Sequence, residues 1–160
     1  MADLTLATFV DDVRKKTLKL LDGVPEDKAR AVPAPHLANH LLWYAGHVYV
    51  VTEALTYGSL GQVPSYPEGW FAMFSWESKP KTVAADKWPT LGRVVEQLRS
   101  QHERIRAVVA GLDEATLARK PEAPSMQWIP SVRWGILHAF HDEANHQGET
   151  YLLKKILMQK

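Results

Sequence analysis

The sequence predicts an all-α protein, a four-helix bundle with a long aromatic-rich connector between its second and third helices. Three observations predict it. Apolar residues recur at i, i+3, i+4 and i+7 in several long stretches. Prolines fall between those stretches and not within them. No stretch carries the period-two alternation of a strand. Four helices joined by connectors close most simply as a bundle, and 160 residues suit a single domain over the whole chain, 1–160.

Each helix has its own signature. Leu6, Phe9, Val10, Val13, Thr17, Leu20 and Leu21 mark the apolar stripe of a first helix that stops at Gly23. Asp11, Asp12, Arg14, Lys15 and Lys16 fill the face read as solvated. A proline-rich connector with about one helical turn follows, over 24–35. A second helix is expected from Leu37 to Tyr57, apolar almost all round and closed by Gly58. His47 sits mid-way along it, and Gly46 leaves room for another backbone to approach.

From 58 to 89 four prolines forbid a long helix, yet Tyr66, Trp70, Phe71, Phe74, Trp76 and Trp88 are concentrated there. Aromatics in such number are expected to pack as core filling, a pocket wall or a partner surface. Thr90 then caps a third helix whose seam is Leu91, Val95, Leu98, His102, Ile105, Val109 and Leu112. Ser131 caps a last helix that runs to about Met158.

The last helix carries the chemistry. His138, Asp142 and His146 are spaced by four, so they drift by only about 40° per step and share a face. With Gly135, Glu149, Leu153 and Ile156 they form a stripe expected to face the core. Ionisable groups in such a stripe need a partner, and a divalent cation is the simplest. Asp142 and His146 are two good ligands, and His47 on a facing helix is the best third. Two histidines and one carboxylate leave positions open for water or substrate. The alternative is a buried His–Asp pair without an ion. His141 turns about 100° away and is read as solvent-facing or as a support behind the ligands. Glu149 is read as a base, an acceptor behind a ligand histidine, or an exposed charge. His40 and His102 are read as hydrogen-bonded core histidines.

Composition narrows the function. A net charge of +1 gives no footprint for nucleic acid or an acidic membrane. No cysteine is present, so disulfides, thiolate metal sites and a cysteine nucleophile are excluded. The opening residues lack a signal-peptide pattern and no apolar run is long enough to span a membrane, so a cytoplasmic protein is expected.

Trp43-Tyr-Ala-Gly-His47-Val, together with His138-x3-Asp142-x3-His146-x-Gly148, resembles the DinB-like superfamily of metal-binding four-helix bundles. The stretch from Trp88 through Leu117 resembles its third helix and the turn after it. The resemblance implies a divalent metal, zinc or nickel, held at His47, Asp142 and His146. Most of the family has His where this chain has Asp142. A branch resembling mycothiol-dependent maleylpyruvate isomerase has Glu there, one methylene longer. Direct ligation by Asp142, replacement by His138 or His141, and a bridging water are the three ways to complete such a site.

The family further implies a thiol-dependent transferase or isomerase, or a hydrolase, acting on a small electrophile. A low-molecular-weight thiol would be the cosubstrate; on the residues of this chain, Glu149 or His138 is the expected mover of protons. A homodimer is expected. The alternatives are a non-catalytic metal or small-molecule binding stress protein and a purely structural dimeric bundle.

Overall fold

The structure, a computed structural model, describes residues 4–159. Among these residues every regular element is helical. Four long helices dominate: α1 (Leu4–Leu21), α3 (Leu41–Ser59), α5 (Leu91–Ala110) and α7 (Val132–Met158). Three short ones lie in the connectors: α2 (Glu26–Ala29), α4 (Trp70–Phe74) and α6 (Glu114–Ala118). The long helices pack in a ring, α1 on α7, α7 on α3, α3 on α5 and α5 on α1. None of the described helices is long and apolar enough to cross a membrane.

Helix ends follow their side chains. Thr90 accepts from Arg93 N at 3.2 Å and Ser131 from Trp134 N at 3.2 Å, each satisfying an orphan amide of the first turn. α3 starts at Leu41, four residues later than the periodicity suggests, because His40 is its cap: the imidazole Nδ1 accepts from Trp43 N at 3.0 Å. The connector over 60–90 holds α4 and two short 3₁₀ turns. Trp70 and Phe74 of α4 plug into the core beside Leu42, Tyr49 and Leu98.

Two readings of helix phase are corrected. Arg14, placed above on the solvated face of α1, is fully buried. It donates to both carboxylate oxygens of Glu143 (2.8 and 2.9 Å) and to Leu98 O and Gln101 Oε1. The deepest stripe of α7 is also rotated from the expected one. Val132, Ile136, Ala139, Phe140 and Glu143 are fully buried, whereas Glu149 and Ile156 are exposed. The stripe through His138, Asp142 and His146 therefore runs along the shoulder of the core.

Two close approaches fix α3 against its neighbours. A Cβ on Gly135 would lie 2.0 Å from Ser59 Oγ, so only glycine lets α7 meet α3 there. A Cβ on Gly46 would lie 2.3 Å from the Phe74 ring. The neighbour that Gly46 admits is an aromatic side chain, not the backbone anticipated from the sequence.

Candidate metal centre

α3 and α7 bring His47, Asp142 and His146 together. One ligand-type atom from each lies within 4.8 Å of the others. Asp142 Oδ2 is 3.8 Å from His47 Nε2 and 3.6 Å from His146 Nε2. The two imidazoles meet edge to face, with ring centres 4.9 Å apart.

Each histidine is held from behind. Nδ1 of His47 lies 2.7 Å from Phe74 O, and because a carbonyl only accepts, Nδ1 carries the proton and the Nε2 lone pair points inward. Nδ1 of His146 lies 2.5 Å from Glu149 Oε2, which leaves Nε2 of the neutral ring as the inward lone pair. Burial pushes the His47 imidazole below its usual range, more than the Phe74 hydrogen bond offsets, and so favours the neutral form that binds metals. Trp43 stacks on His47 with ring centres 4.4 Å apart. Tyr44 sits against His146 at 5.3 Å; burial and then the Glu149 carboxylate push its hydroxyl up, so it stays protonated.

The distances between the ligand-type atoms discriminate between explanations. At 3.6 and 3.8 Å they exceed a hydrogen bond, and Asp142 Oδ2 is buried without any hydrogen-bond partner. An unpaired buried carboxylate oxygen is costly. Ligands about 2.0–2.2 Å from a tetrahedral zinc stand roughly 3.3–3.6 Å apart, at most a few tenths of an ångström shorter than the two separations from Asp142 Oδ2. The donor set, the tautomers and the unpartnered oxygen fit a divalent cation.

A cavity of about 610 Å³ opens beside this cluster. His47, Asp142 and His138 reach it from the helices, Tyr66, Phe71 and Trp76 from the connector before α5, and Met126 and Trp128 from the one before α7. His138 stacks on Trp134 (4.6 Å) and meets Trp128 edge-on (5.6 Å); it lines the cavity and is not among the three clustered residues. Glu149 supports His146 and does not line the cavity. His141 is exposed. His40 is the α3 cap, and Nε2 of His102 lies 3.0 Å from Asp11 Oδ1 on α1.

The Phe74 carbonyl, Tyr44 and Trp128 were not singled out as parts of a site from the sequence. A backbone carbonyl leaves no residue signal. Tyr44 had one, being one turn of helix before His47.

The family model of the DinB superfamily matches residues 10–150. The chain belongs to the DinB superfamily. A solved structure, that of a conserved protein from Enterococcus faecalis, superposes with a TM-score of 0.72 at 15% identity, covering 100% of this chain and 99% of that one. At that identity the likeness speaks for the fold. No curated protein matches the chain. Within this DinB-superfamily bundle, His47, Asp142 and His146 form a group that could hold a metal ion.

Proposed function

We propose that this DinB-superfamily protein is a metal-dependent enzyme in which His47, Asp142 and His146 hold a divalent cation, zinc or nickel, beside a cavity that receives a small electrophile. The observation that carries the reading is the buried, unpartnered Oδ2 of Asp142 facing two imidazole lone pairs. Three protein ligands leave coordination positions open, the mark of a catalytic site. An open-sited divalent ion supplies a water of lowered pKa or holds a thiolate. The chain has no cysteine, so a thiolate would come from a low-molecular-weight cosubstrate. Transfer to, isomerisation of or hydrolysis of the electrophile are the reaction classes that follow.

The two accessory residues divide the work. His138 faces the cavity and accepts or returns a proton at the bound substrate. Glu149 orients His146 by accepting from its Nδ1–H.

The test is turnover of a small electrophile, with and without added thiols, alongside metal content. His138→Ala should lower kcat by about 10²–10⁴-fold with metal content unchanged. Glu149→Gln should instead weaken metal affinity about 10–100-fold and keep kcat at saturating metal. A Glu149→Gln enzyme that is metal-loaded yet inactive would reverse the two roles. Wild-type protein that takes up no metal would remove the proposal.

A further inference from the structure

The charge and shape of the cavity point to the class of molecule it takes. Its wall is aromatic and apolar: Tyr66, Phe71, Trp76, Met126 and Trp128 supply most of it. Neither Lys nor Arg is among the described residues that line it, and Asp142 is the one acidic residue there. The aromatic connector is preorganised by its own contacts. Tyr66 and Phe71 lie 5.3 Å apart, and Phe71 and Trp76 meet edge to face at 5.7 Å. The segment is anchored to α3 by Ser65, whose amide donates to Glu53 Oε1 at 3.3 Å and whose carbonyl accepts from Tyr49 Oη at 3.3 Å.

Such a wall has a definite selectivity. Carboxylate, phosphate and sulfonate groups need cationic or multiple N–H partners when they leave water, and this wall offers none from Lys or Arg. Aromatic faces reward flat apolar surface, and a cavity of this size accepts a drug-sized molecule. Trp76 and Trp128 remain 58% and 57% exposed although they line the cavity. That is wasted apolar surface unless a ligand covers it.

We infer that the aromatic cavity of this protein binds an uncharged, apolar, ring-bearing small molecule through Phe71, Trp76 and Trp128, and discriminates against anionic molecules. This deepens the proposed enzymatic reading and rests on it for the reacting end of the molecule; the wall is independent of the ion. One consequence concerns the nucleophile. A thiol bearing several carboxylates finds no counter-charge on this wall, so water or an uncharged thiol is the nucleophile that suits the cavity.

The experiment is a tryptophan-fluorescence titration of the full-length protein, as purified and after chelator treatment, with metal content measured on the same samples. The probes share a naphthalene ring: 2-naphthalenemethanol, 2-naphthalenesulfonate and 2-naphthylmethylammonium. After chelation the alcohol should bind at least about tenfold tighter than the sulfonate, and in the metal-loaded protein it should bind tighter than the ammonium. Trp76→Phe should leave its affinity within about twofold, and Trp76→Ala and Trp128→Ala should each weaken it about fivefold or more. Because both tryptophans are largely exposed, circular dichroism should show an unchanged fold. Equal or tighter binding of the sulfonate after chelation, or unaltered affinity in both alanine variants, overturns the inference. A neutral preference in a protein that takes up no metal would uphold the wall and reject the metal centre. A protein that loads metal yet still prefers the sulfonate once chelated would do the reverse.

Discussion

Two polar clusters lie within the bundle, and they end differently. Around Arg14 the pairing is complete. The guanidinium holds Glu143 by two hydrogen bonds and also reaches Leu98 O and Gln101 Oε1, while Gln101 Nε2 passes on to Tyr49 O and Glu53 Oε2. Glu53 is closed by Arg104 at 3.2 Å. This network ties α1, α3, α5 and α7 together and leaves nothing for a ligand to satisfy. Around Asp142 the pairing is incomplete: two imidazoles present lone pairs, and Oδ2 has no donor. Both clusters place charge inside a helical bundle. The first is neutralised from within the chain, whereas the second fits neutralisation from outside it.

The comparison breaks most visibly at Glu143. Glu143→Ala leaves Arg14 buried without its counter-ion, and the expected loss is roughly 3–5 kcal/mol, a fall in Tm on the order of 10 °C, with metal stoichiometry unchanged. Calorimetry and elemental analysis on one preparation check both halves. A metal-free but thermally normal variant would merge the two clusters into one.

Gly46→Ala sharpens the other side. The new methyl must displace the Phe74 ring, which is fully buried. The cost is about 1–3 kcal/mol. The shift should carry the Phe74 carbonyl away from His47 Nδ1, so competition with a chromogenic chelator should read a weakened metal affinity. Wild-type affinity in a destabilised Gly46→Ala protein would show that the carbonyl is dispensable for orienting His47.

The smallest effect concerns a histidine in neither cluster. Burial, then the charge of Arg30, pushes His40 down to about 4. The unfolded chain takes up this proton near pH 6.5 and the folded one only near 4, so the contribution of His40 is complete above about pH 6.5 and is lost as pH falls toward 4. Protonation also removes the lone pair that caps α3. His40→Asn keeps an acceptor for Trp43 N and removes the titration. Denaturant midpoints between pH 7 and 4 should fall less steeply in the variant, and parallel curves would exclude His40 from acid sensitivity.

Legibility followed the kind of information each feature needs. The caps Thr90 and Ser131 and most of the stripes of α1 and α5 are local patterns and could be read directly, although on α5 Val94 is fully buried where the seam is placed on Val95. His40 as a cap was hidden because imidazole is not among the usual capping side chains. Arg14 misled because a charged residue on a helix reads as exposed until its partner is known, and Glu143 lies 129 residues away. On α7 the polar shoulder drew attention from the true core stripe, since apolar residues surround that helix on several sides. His47, Asp142 and His146 were legible as ligand types at helical spacing. The Phe74 carbonyl was not, since it depends on a short helix folded inside a proline-broken connector.

Metal-edge anomalous scattering from crystals of the protein as purified tests the central claim most directly. The account predicts one peak per chain, bonded to Nε2 of His47, Oδ2 of Asp142 and Nε2 of His146 at about 2.0–2.2 Å. An absent peak, with Asp142 Oδ2 instead hydrogen-bonded directly to one of the imidazoles, would contradict it.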